Sequence, residues 1–149
     1  MGTIDLPLEV NRLSGIIVDC AFAVHTHLGP GLLESVYQKA LAIEFAARDI
    51  SFVREQAITI TYRDQVVGEN RLDFVVAKQV VVELKSVDRI ADVHRSQVIH
   101  YLKATGLPLG LLLNFNCALL KDGIVRLVST ASPVPSASLR LCGQSESTP

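Results

Sequence analysis

Three ionisable side chains stand where apolar strands should carry none: Asp73, Glu83 and Lys85, in the stretch Asp-Phe-Val-Val-Ala-Lys-Gln-Val-Val-Val-Glu-Leu-Lys. Residues 72–77 and 80–84 are short runs rich in Val, Leu and Phe, and Ala77-Lys78-Gln79 between them spells an antiparallel hairpin. Side chains alternate along a strand, so Val80, Val82 and Leu84 point one way while Val81, Glu83 and Lys85 point the other. A three-residue turn then sets Asp73 across from Glu83, with β-carbons roughly 4.5–5.5 Å apart. Two carboxylates and an ammonium converge.

Acids that close repel, and one is driven towards protonation unless a cation sits between them. A divalent metal is the simplest such cation. Hard oxygen ligands with open positions suit Mg²⁺ or Mn²⁺, which keep several waters and meet substrate phosphates. Lys85, two residues from Glu83 on the same face, is placed to stabilise charge on a phosphate or to activate an attacking water. The competing reading is an ordinary ion pair on a solvated sheet face.

The elements that must position these groups follow from periodicity. Pro7 suits the first turn of a helix running to about Leu28, with Leu13, Ile16, Ile17, Cys20, Ala21 and Val24 on one apolar face. Gly29-Pro30-Gly31 ends it and begins a second helix, whose stripe of Leu33, Val36, Tyr37, Ala40, Leu41 and Phe45 runs to about Arg48. Glu34, in the first turn of that helix, is either a charge–dipole contact or a third acid beside the metal. His25 and His27 lack the further partners a zinc site needs.

Residues 51–61 have strand character, turn at Arg63-Asp64-Gln65 and lead through 66–76 into the central hairpin. A helix over about 92–105, with Asp92 near its start and Gly106 ending it, carries His94, Gln97 and Tyr101 on one face; Val98, Ile99 and Leu102 supply its apolar side. A buried strand at 109–114 and a hairpin through Lys121-Asp122-Gly123 into 124–128 complete the pattern. The expected fold is α/β, a central mixed β-sheet flanked by helices. A helical crossover between the Glu83 strand and the 109–114 strand permits those two to run parallel.

At 149 residues and 49% apolar content, with mean hydropathy +0.35, the chain is expected to form a single globular domain over residues 7–129. The Ser- and Pro-rich segment 130–149 reads as a disordered tail. The apolar stretch 107–120 is interrupted by Pro108, Asn114 and Asn116 and is too short to span a bilayer. No basic segment precedes an apolar run at the start, so a cytoplasmic protein with reduced thiols at Cys20, Cys117 and Cys142 is expected. A net charge of −1 argues against a protein that coats nucleic acid through clustered cations. It argues less against an enzyme that meets a few phosphates around a metal.

Asp73, then Glu83-Leu84-Lys85 ten residues later, then Gln97 and Tyr101 on a helix, resembles the PD-(D/E)xK nuclease superfamily, in its RecB-like and lambda-exonuclease-like branches that carry a QxxxY helix. With Gly31-Leu-Leu-Glu34-Ser-Val-Tyr37 and Gly110-Leu-Leu-Leu-Asn114-Phe115, the pattern is similar to the small bacterial proteins called the GxxExxY family. The resemblance implies a restriction-endonuclease-like core and metal-dependent hydrolysis of phosphodiester bonds, most often in DNA. It implies that Asp73, Glu83 and the Leu84 carbonyl hold Mg²⁺ or Mn²⁺, with Glu34 contributing directly or through water, and that Lys85 serves the attacking water. Gln97 and Tyr101 would line the site and contact the nucleic acid or orient the lysine. Arg71, on the Asp73 face of its strand, is placed for a phosphate or for an ion pair with one of the acids. A non-catalytic nucleic-acid- or protein-binding module on the same fold is the alternative.

Overall fold

A computed structural model describes residues 6–129 and the backbone of 139–141. Helices α1 (Leu8–Leu28) and α2 (Glu34–Ala47) come first, then strands β1 (Phe52–Tyr62), β2 (Gln65–Val76) and β3 (Val80–Lys85). Helix α3 (Asp92–Thr105) leads to β4 (Leu109–Asn114), a 3-10 turn at Leu120–Gly123, β5 (Ile124–Val128) and a short β6 (Leu139–Leu141). The sheet order is β5-β4-β3-β2-β1-β6. Among the described strands only β3 and β4 run parallel, joined by the α3 crossover. Of the expected tail, residues 130–138 and 142–149 lie outside the described residues, while Leu139–Leu141 pair with Ile58–Ile60 of β1.

The two parallel strands are buried almost throughout, which is why their sequences are nearly unbroken Val and Leu instead of alternating. One face of the sheet, through Phe74, Val76, Val80, Val82, Leu84, Leu109, Leu111 and Leu113, packs on Ile17, Cys20 and Val24 of α1 and Tyr37, Leu41 and Phe45 of α2. The other face, through Ile58, Leu72, Val75, Val81 and Leu112, packs on Val98, Tyr101 and Leu102 of α3. The mixed sheet with helices on both sides is the expected architecture, and Val80, Val82 and Leu84 do share one face with Val81 on the other.

Two apolar stripes are narrower than expected. Leu33 is 74% exposed and Val36 39%, because α2 begins only at Glu34 and Leu33 is its extended N-cap residue. Ile99 is 42% exposed, since Val98, Tyr101 and Leu102 are the residues that turn α3 towards the sheet. Pro7 likewise precedes α1, accepting the first helical N–H bonds with its carbonyl.

Gly110 sets how close α3 comes to β4. A β-carbon there would lie 2.5 Å from Val98 Cγ1, and a β-branched side chain on a helix has little rotamer freedom to move aside. Gly110→Ala should therefore lower unfolding stability by about 1–3 kcal/mol in urea titration. Adding Val98→Ala should recover part of that loss.

Candidate active site

The site is built where β2 and β3 stop pairing. Their ladder runs from Val76↔Val80 to Phe74↔Val82 and ends there, although the register carries on to set Asp73 opposite Glu83, as the three-residue turn requires. In place of further ladder bonds, the carboxylates cross the gap. The Asp73 N–H donates to Glu83 Oε1 at 2.8 Å, and the Leu84 N–H donates to Asp73 Oδ2 at 2.8 Å. Each acid thus satisfies a backbone donor that the diverging strands would strand.

Asp73 is disturbed from its other side as well. On β1 the residues flanking its position pair regularly, Arg54↔Phe74 and Gln56↔Leu72, but Glu55 between them is left-handed at φ 51°. Leu72 and Phe74, two residues apart, consequently pack on opposite faces of the sheet. A strand with unbroken alternation would put both on one side. This local twist delivers Asp73 into the gap, and a strained residue beside such a group is a familiar companion of functional sites.

Burial dominates the electrostatics. Glu83 is 4% exposed, and its carboxyl is pushed up to about 8 by desolvation first and by the negative charge of Asp73 second. Asp73 is also raised by burial, with the Leu84 N–H and the Gln38 amide pulling the other way. Glu34, exposed at the start of α2, adds negative potential at both acids, and Lys85 adds positive potential. The ion pairs among the described residues are Arg48–Glu44 and Arg71–Glu69, so the Lys85 ammonium is committed to neither acid.

The residues expected from sequence divide into two groups. Asp73, Glu83, Leu84 and Lys85 come together at the strand divergence, and Glu34 lies within electrostatic reach. Among the described residues no three His, Cys, Asp or Glu side chains are gathered into a ready metal cage, so Glu34 is not in a three-acid cluster with Asp73 and Glu83. Two crowded carboxylates with unused lone pairs do fit a hard divalent ion, which commonly takes one or two protein carboxylates and leaves its other positions to water and phosphate. Tyr101 is 1% exposed on the α3 face of the sheet, its hydroxyl pushed up to about 12 by burial and by the charges of Glu83 and Asp73. It therefore stays protonated, under the field of both acids, while Gln97 one turn earlier on α3 is half-buried. Arg71 pairs with Glu69 at 3.9 Å and donates to the Glu55 carbonyl; it binds neither site acid. His94 is engaged at the start of α3, its Nδ1 accepting the Ala91 N–H.

The loop before α2 is fastened to the site by residues of its own. Gly31, at φ 96°, makes the turn. The buried Tyr37 hydroxyl donates to the Gly29 carbonyl at 2.6 Å and accepts the Leu32 N–H, and its ring stacks on Phe115 at 4.6 Å. Ser86, next to Lys85, donates to the Leu32 carbonyl at 2.6 Å. At the end of β4, Asn114 accepts the Val87 N–H on Oδ1 and donates to the Val87 carbonyl through Nδ2, fixing the bend that follows Lys85.

Sequence reasoning passed over Gln38 and Arg54. Gln38 Nε2 donates to Asp73 Oδ1 at 2.9 Å, and Arg54 donates to Gln38 Oε1 at 2.9 Å. The signal available was the spacing of Glu34 and Gln38, four residues apart and so on one helix face.

A family model described as the PD-(D/E)XK nuclease superfamily matches residues 11–127. No curated protein and no solved structure matches the chain.

Two outcomes test this geometry. Without divalent metal, the folded chain keeps on Glu83 a proton that the unfolded chain releases near its ordinary value of 4.5. The stability due to that proton is complete below 4.5 and is lost as pH rises through about 8. The loss amounts to roughly 5 kcal/mol at most. Glu83→Gln should flatten this decline, giving a higher urea midpoint than the parent in EDTA at alkaline pH. Tyr37→Phe should cost about 1–3 kcal/mol in the same assay, because it leaves the Gly29 carbonyl and Leu32 N–H without their partner.

Proposed function

The chain belongs to the PD-(D/E)XK nuclease superfamily, and from that premise we propose that it is a metal-dependent nuclease that hydrolyses phosphodiester bonds in DNA. The observation that carries the reading is the reciprocal bridging of Asp73 and Glu83 across the diverging strands, with an uncommitted Lys85 beside them. Asp73, Glu83 and the Leu84 carbonyl would hold Mg²⁺ or Mn²⁺, with Glu34 acting through water. When bound, the ion supplies positive charge against the phosphate and lowers the pKa of a coordinated water. Lys85 places its ammonium against the same phosphate or water. Tyr101 is neutral and buried, so the half-buried Gln97 is the one of the pair that would meet the nucleic acid from α3.

Within the superfamily we place the chain in the GxxExxY family and the branches with a QxxxY helix. Three separate roles support this: Gly31 supplies the positive φ, Glu34 opens α2 towards the acids, and Tyr37 ties the loop. No helix of the described residues is long and apolar enough to cross a membrane.

Calorimetric titration with Mn²⁺, followed by a gel assay on labelled single- and double-stranded DNA, tests the proposal. The parent should bind Mn²⁺ and cut; Glu83→Gln should weaken binding about 10-fold or more. Lys85→Ala should still bind the ion and lose cleavage by at least about 100-fold. A parent that binds no Mn²⁺ and cuts neither DNA nor RNA would sink the reading in favour of a binding module.

A further inference from the structure

Asp73 is held by more than the backbone. Glu34 and Gln38 lie one turn apart on α2, and Gln38, half-buried, directs its amide at Asp73. Arg54, exposed on β1, pairs in register with Phe74, which packs against α2. Its guanidinium therefore reaches the far side of the same amide.

The chemistry of these three groups fixes the amide's orientation. A guanidinium can only donate, so the Gln38 atom that meets it must be the oxygen. Nε2 is then turned to Asp73, where it donates to Oδ1 while the Leu84 N–H donates to Oδ2. The reversed amide would set donor against donor at Arg54 and acceptor against acceptor at Asp73. Two donors, one on each oxygen, fix the plane of the carboxylate and direct its remaining lone pairs.

We propose that Gln38 and Arg54 are positioning residues that act as one unit on the Asp73 carboxylate, a role that rests on Asp73 being a metal ligand in the function proposed above. The amide is the appropriate link. An arginine bonded directly to Asp73 would compete with a divalent cation for its charge, whereas an uncharged amide passes on orientation and leaves that charge in place. Partners of this kind typically change metal affinity by 10–100-fold when removed.

The test uses the full chain and has two readouts. In metal-free, nitrogen-15-labelled protein, the Gln38 side-chain amide protons should exchange slowly with water. Arg54→Ala should speed their exchange, and Arg54→Lys, which restores a donor, should slow it again. In Mn²⁺ calorimetry, Gln38→Leu should weaken binding by about 10-fold. Arg54→Ala should weaken it by a smaller factor in the parent and by nothing further in the Gln38→Leu background. An amide that exchanges like a free glutamine would overturn the proposal, as would an Arg54→Ala effect of equal size in both backgrounds. If the parent binds no Mn²⁺, the metal reading of Asp73 fails, and the amide signals alone decide whether the carboxylate is held as described.

Discussion

Two carboxylates taken out of water must find donors, and that requirement shapes the centre of this molecule. Burying either acid alone would cost several kcal/mol. Here the cost is reduced by parting β2 from β3 just where the acids sit. The parting frees the N–H groups of Asp73 and Leu84, and the carboxylates take them up. The acids therefore substitute for the ladder that their own presence interrupts. What remains unbalanced is charge: Glu83 is held well above its ordinary value by burial and by Asp73. A site in that condition gains most from a divalent cation, and the surrounding structure is arranged to keep it so.

That arrangement draws on every layer. Helix α3, brought close by Gly110, lays Tyr101 under the acids as a neutral phenol. Helix α2 contributes Glu34 from an exposed first turn and Gln38 from the next, and its entry loop is fixed by Tyr37 and Ser86. Strand β1 supplies Arg54 and the left-handed Glu55 that lets β2 twist. The parallel β3–β4 pair forms the rigid floor, closed off by the paired hydrogen bonds of Asn114. None of these elements is near in sequence to all the others, so the site exists only when the whole sheet has formed.

The order of elements, the parallel crossover and the opposition of Asp73 to Glu83 were legible in the sequence because each follows from short-range periodicity. Residues 77–79 make a three-residue turn as expected, and that length determines the register. Less visible was anything created by contact between distant segments. Glu55 gives no local sign of positive φ, since neither its neighbours nor its type favour a turn. Gln38 is a neutral side chain on a helix whose partners lie 16 and 35 positions away. For Tyr101 the sequence left open contact with nucleic acid or orientation of the lysine, and its burial became apparent only once α3 was set against the sheet. Leu139–Leu141, in a segment rich in Ser, Pro and Ala, carried too little pattern to announce a strand.

The divergence of β2 from β3 has one further result, away from catalysis. Beyond Asp73 the side of β2 that β3 leaves has none of the described strands beside it, from Gln65 to Leu72. An open row of N–H and C=O groups is a template for unwanted strand addition. Val66 and Val67, 67% and 62% exposed, add adhesive surface at its tip. Against this stand Gly68 and Asn70, poor strand formers, and the opposed charges of Glu69 and Arg71. The Glu69–Arg71 pair contributes little to folding stability in water. Its value lies in solubility: it guards an edge that the molecule had to leave open in order to have a site at all.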